Sequence, residues 1–228
     1  MKKIVFLLAA FALFLSTVAQ QTNPSNEQQT KKEKKPQKQQ IGLGIKAGIN
    51  FSNITNASQI SAKSSTGFMV GAFFAPPSKG VLGYRTEFIF SRQGYDYSTN
   101  STTGSVKLNY LLLPQLMTIN ISRFFEIDFG FQMAFLLSGK ADSSQPSSGN
   151  PYGKMLDYYN KFQYGFAGGV QINPVRIFYI GARYNISLNS MYKDQSGGTG
   201  MPIPGFITDV SGIDIKNNVF QVYAGFKL

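Results

Sequence analysis

Along residues 125–137, FEIDFGFQMAFLL, the side chains sort by parity. Phe125, Ile127, Phe129, Phe131, Met133, Phe135 and Leu137 fall on one face. Glu126, Asp128, Gly130, Gln132 and Ala134 fall on the other, with Leu136 the one large apolar exception. A period of two is that of a β-strand, whose alternate side chains point to opposite faces. The first face is too apolar to meet water along its whole length. The second carries two carboxylates, which a protein core does not accept unpaired. Together they predict a strand with lipid on one side and a hydrated or ion-paired lumen on the other.

The same parity recurs along the chain and predicts seven further strands, at residues 41–51, 66–75, 81–92, 105–120, 162–172, 177–188 and 219–228. In the first, Ile41, Leu43, Ile45, Ala47, Ile49 and Phe51 alternate with Gly42, Gly44, Lys46, Gly48 and Asn50. The glycines there are not a nucleotide fingerprint, because their spacing is wrong and no helix follows; inward glycines make room for larger lumen side chains. In the strand at 105–120 the alternation blurs at Leu111-Leu112-Leu113-Pro114, and a bulge or break is expected at the proline, which lacks a ladder N–H. Long connections (52–65, 93–104, 138–161, 189–218) alternate with short ones (76–80, 121–123, 173–176). Short periplasmic turns and longer outer loops are the pattern of an outer-membrane barrel. The expected fold is all-β: an eight-stranded antiparallel up-and-down transmembrane β-barrel over residues 41–228, preceded by a signal peptide and a disordered basic segment. A soluble eight-stranded carrier would invert the faces, with outward Lys, Glu, Asn and Thr. The polar face here is instead rich in Gly and Ala, as suits a confined interior.

The start of the chain reads as a secretory signal. Lys2 and Lys3 precede an apolar run over 4–15 and a small-residue site at Thr17-Val18-Ala19, with cleavage expected after Ala19. Residues 20–40, QQTNPSNEQQTKKEKKPQKQQ, have no large apolar side chain and read as a disordered periplasmic spacer. No run after residue 15 approaches the ~20 apolar residues of a membrane helix. The absence of His and Cys removes Ser-His-Asp triads, Cys nucleophiles, His-bearing zinc sites and any disulfide framework. No enzyme activity and no cofactor are expected.

Several segments carry a resemblance. GIKAGINFSN at 44–53, GFMVGAFF at 67–74, YRTEFIFSRQGYDY at 84–97, VKLNYLLLPQLMTI at 106–119, GFQMAFLLSGKAD at 130–142, IGARYNISLNSMY at 180–192 and FQVYAGFKL at 220–228 resemble, in order, the PorT-type outer-membrane β-barrel family of the Bacteroidetes. The resemblance implies a barrel in a Gram-negative outer membrane. It also permits a role as an accessory component of a protein-secretion machine, although fold alone does not carry that role. The family's Leu-Glu-Ile-Pro on the fourth strand is here Leu111-Leu112-Leu113-Pro114, which removes a carboxylate.

Parity places Lys46, Arg85, Lys107, Arg183 and Lys227, with Glu87, Glu126 and Asp128, on inward faces. Eight strands leave an interior just wide enough for side chains, so a lumen charge network of ion pairs is expected. A charge-lined small passive pore is the alternative. Glu126 and Asp128 form a carboxylate pair, but no sugar subsite accompanies them. The loop at 138–161 offers Tyr152, Tyr158 and Tyr159 as a binding surface for a protein or glycan ligand. Tyr84, Tyr164 and Tyr184 read as membrane-interface anchors. The formal net charge of +11 is spread over tail, lumen and loops. That distribution disfavours nucleic acid and suits outer-membrane lipid and lipopolysaccharide as partners of a monomer.

Overall fold

The computed structural model describes residues 41–55, 61–78, 80–98, 103–143, 159–193 and 215–228. The expected signal peptide, the basic segment 20–40, and Tyr152 and Tyr158 lie outside the described residues. Eight strands follow one another: β1 (Gly42–Thr55), β2 (Ser61–Ala75), β3 (Leu82–Ser98), β4 (Thr103–Asn120), β5 (Phe125–Ser143), β6 (Phe162–Ile172), β7 (Phe178–Ser187) and β8 (Lys216–Lys227). Each pairs antiparallel with the next and β1 pairs with β8, which closes the barrel. Closure leaves no open sheet edge and satisfies the backbone ladder without water, as a membrane-spanning sheet requires.

The parity of the sequence is the parity of the wall. In β6, Phe162, Tyr164, Phe166, Val170 and Ile172 face out while Gln163, Gly165, Ala167 and Gln171 are buried. Around the barrel the outward face is apolar: Phe129 is 46% exposed and Phe226 51%, against 4% for Arg85 and 0% for Asp128. A soluble carrier would show the reverse. Rings on adjacent strands meet across the outer surface, as in Phe51–Phe220, Phe131–Tyr164 and Phe178–Phe226, the cross-strand contacts by which sheets gain stability. Tyr84, Tyr164 and Tyr184 also face out.

On the side of the long connections the strands outrun the apolar pattern. β2 starts at Ser61, β3 reaches Ser98, β5 reaches Ser143 and β8 starts at Lys216. The ladder continues there through Ser61–Ser98, Ser98–Thr103 and Gly104–Ser143 pairs. Much of the expected loop is therefore wall. The wall is tall at β3–β5 and low at β6 and β7, which have 11 and 10 residues.

β4 passes through Pro114 without a shift. Thr86 pairs with Gln115 and Ile89 with Leu112 in one register, and only the pairs between them are missing. The proline removes an N–H from the ladder but does not bend it out of phase. The extra residue lies in β5 instead, where Asn109–Ser138 is followed by Tyr110–Leu136 and Leu137 is skipped.

Candidate functional site

The inward positions of the barrel converge on a buried charge cluster. Lys46 comes from β1, Arg85 and Glu87 from β3, Glu126 and Asp128 from β5, and Arg183 from β7. Lys46 Nζ lies 2.6 Å from Glu87 Oε2. Arg183 Nη1 donates to the same oxygen at 2.6 Å, and Nη2 donates to Glu87 Oε1 at 3.1 Å. The Arg183 guanidinium also forks onto Asp128, with Nε to Oδ1 at 3.2 Å and Nη2 to Oδ2 at 3.1 Å. Arg85 pairs with Glu126, donates to Gln171 Oε1 at 3.0 Å, and lies 4.0 Å from both Glu87 and Asp128. Three cations thus meet three carboxylates, the condition under which buried charge is tolerated. Rings pack over the cations. Tyr223 lies 4.2 Å from Lys46 Nζ, centroid to atom, and Phe73 lies under Arg85. Small residues make the room: a Cβ on Gly181 would strike the Tyr223 ring, and one on Gly225 the Tyr179 ring.

Beyond the cluster, toward the tall rim, the lining becomes neutral. Asn50 Nδ2 donates to Ser91 Oγ at 2.8 Å, Gln221 Nε2 to Asn50 Oδ1 at 3.1 Å, and Asn217 Nδ2 to Gln93 Oε1 at 2.6 Å. Gln163 Nε2 donates to Tyr110 Oη at 2.9 Å. Some polar atoms, among them Tyr223 Oη and both side-chain atoms of Asn185, are buried without a protein partner among the described residues.

At the tall rim the interior is apolar. Ile54, Val106, Leu108, Leu136, Met191 and Ile215 are buried together with Tyr95, Tyr159 and Tyr192. The three phenols form a closed triangle of O···O distances: 2.6 Å for Tyr95–Tyr192, 2.9 Å for Tyr159–Tyr192 and 3.1 Å for Tyr95–Tyr159. A short ladder holds them. Tyr159 bridges Tyr192, Asn160 N donates to Met191 O at 2.9 Å, and Met191 N donates to Ile215 O at 2.7 Å. It continues the low side of the wall and turns tyrosines inward.

Of the expected lumen charges, six meet in the cluster and two do not. Lys107 stands on the outer face, because Val106, Leu108 and Tyr110 are the buried residues of that stretch. The run Leu111–Leu113 is apolar on both faces and hides the phase of the strand. Lys227 lies half-buried at the opposite rim, 5.9 Å from the Tyr179 ring centroid. Tyr159, expected on an exposed loop surface, is 1% exposed. Tyr95, Tyr192 and Tyr223 were not singled out from the sequence, although inward parity marks Tyr95 and Tyr223. Among the described residues no group of three or more His, Cys, Asp or Glu side chains could hold a metal ion.

An apolar exterior, eight closed antiparallel strands and an ion-paired interior define a membrane-spanning β-barrel. A model of the family "Outer membrane protein beta-barrel domain" matches residues 19–193, and the chain belongs to that family. It is a protein of the outer membrane. Similar solved structures include the attachment invasion locus protein Ail of Yersinia pestis (15% identity, covering 82% of this chain and 98% of that one, TM-score 0.44). The outer membrane protein OprG of Pseudomonas aeruginosa is another (11% identity, 82% and 94% covered, TM-score 0.45). Neisserial surface protein A is a third (12% identity, 82% and 97% covered, TM-score 0.42). No curated protein sequence matches the chain.

Proposed function

We propose that this chain is a monomeric, non-enzymatic outer-membrane barrel whose lumen is plugged by its own side chains. In this reading its exposed loops serve a structural or binding role toward a protein or glycan ligand. The observation that carries it is the six-residue charge cluster, whose members are each 4% exposed or less. Arg183 alone ties β7 to β3 and β5 across the lumen. A conducting pore keeps its charges hydrated, whereas these satisfy one another. The charge network is then a structural crosslink between opposite walls rather than a pathway. The tall rim faces outward and the short turns face the periplasm, the usual arrangement of such barrels.

Planar-bilayer recording of the purified chain tests the plug. The expected trace has no discrete conductance step, and a reproducible single-channel step overturns the reading. The PorT-type sequence segments favour one second reading, a part in a secretion machine. Deletion of the gene followed by assay of secreted cargo separates the two: unchanged secretion supports the surface role, and lost secretion supports the machine.

A further inference from the structure

The outer wall of β3–β5 changes character within two residues. Phe90, Leu111 and Phe135 are cross-strand neighbours, and with the exposed Leu137 just above them they close the apolar belt. The next outward row is Arg92, Asn109 and Ser138. Arg92 Nε donates to Asn109 Oδ1 at 3.2 Å, and Asn109 Nδ2 donates to Ser138 Oγ at 2.8 Å. The guanidinium also lies 5.3 Å from the Phe68 ring centroid. This cation is therefore held in place from two sides. In the row above, Lys107 and Lys140 are direct partners across β4 and β5, and both are exposed. Neither is ion-paired with Asp96, the nearest carboxylate whose side chain is described. One row further up, Ser105 pairs with Asp96 on one side and Asp142 on the other, so two carboxylate residues border the site above.

Like charges placed directly opposite each other destabilise a sheet. Two facing lysines beside a fixed arginine form a place where a polyanion relieves repulsion and accepts charge-assisted hydrogen bonds from all three. The height of the site identifies the anion. It begins where the hydrocarbon-facing belt stops, at the level of lipid headgroups. We propose that Arg92, Lys107 and Lys140 form an exterior binding site for the phosphate groups of an outer-leaflet glycolipid of the lipid A class. The site rests on the outward orientation of the tall rim given above. It uses the outer surface of the wall, not the loops.

The test is native mass spectrometry of the full chain in detergent micelles, with bisphosphorylated lipid A as the added probe. The expected result is a saturable adduct, weakened about fivefold for each cation removed in Arg92→Gln, Lys107→Gln and Lys140→Gln. Arg123→Gln and Arg176→Gln, in exposed turns at the opposite end, leave it unchanged. Heat-modifiable gel mobility checks that each variant is folded. Undiminished adducts in the triple variant, or equal binding of lipid A stripped of phosphate, overturn the site. Displacement by inorganic phosphate overturns the lipid assignment in favour of a free-anion site. Protease shaving of intact cells reports orientation separately. Cleavage within 20–40 rather than 144–158 contradicts the outward rim without altering binding to purified lipid A, so the two failures are told apart.

Discussion

The two ends of the lumen are filled by different chemistry. Toward the short turns, Lys46, Arg85, Glu87, Glu126, Asp128 and Arg183 fill the interior with paired charge. Toward the tall rim, Val106, Leu108, Leu136 and the Tyr95–Tyr159–Tyr192 triangle fill it as an ordinary protein core would. The lower half has lipid outside along its height, so the charged residues of its strands turn inward. The upper half outruns the apolar belt, and there the core returns to the inside. The rule "apolar out, polar in" thus belongs to the membrane-embedded zone and reverts where the wall leaves it.

Four single substitutions and one double variant break or sharpen that contrast, each read as a midpoint shift in denaturant unfolding from lipid vesicles. Glu87→Leu has the largest effect, a loss of about 3–5 kcal/mol, because it strands Lys46 in a buried site and leaves Arg183 with Asp128 alone. Adding Lys46→Met to it recovers part of the loss. Leu108→Ala, at a position with 0% exposure, costs about 2–5 kcal/mol through the cavity it leaves. The upper half therefore responds to lost volume as the lower half responds to lost charge. Tyr95→Phe costs about 1 kcal/mol, since Tyr159 and Tyr192 still bond each other at 2.9 Å. Lys107→Ala costs less than about 0.5 kcal/mol, as expected of an exposed side chain and unlike any lumen cation. A loss of several kcal/mol there would return Lys107 to the interior.

Much of this was legible in the sequence where lipid imposes contrast. β6 was readable to its bounds, and Lys46, Arg85, Glu87, Glu126, Asp128 and Arg183 were assigned inward from parity alone. What parity could not supply was the upper half. Ser61–Ser65 and Gln93–Ser98 belong to strands, but their polarity reads as loop, because both faces have left the hydrocarbon. Leu111–Leu112–Leu113 offers no contrast between faces, so parity carried through it puts Lys107 on the wrong one. Leu136, the apolar exception on the polar face, belongs to the buried apolar cluster. Tyr159 sits in a stretch of loop composition, and its inward turn depends on a bridge to Tyr192, far along the chain.

The most direct test uses the chain's lack of cysteine, which makes single-cysteine spin labels unambiguous. Labels placed one at a time along residues 125–137, in protein reconstituted in bilayers, are read for collisions with oxygen and with a water-soluble nickel complex. The account predicts high oxygen accessibility at Ile127, Phe129, Phe131 and Met133 and low accessibility to both reagents at Asp128, Gly130 and Gln132. Oxygen-shielded odd positions with nickel-accessible even ones would put the apolar face inside the molecule and contradict it.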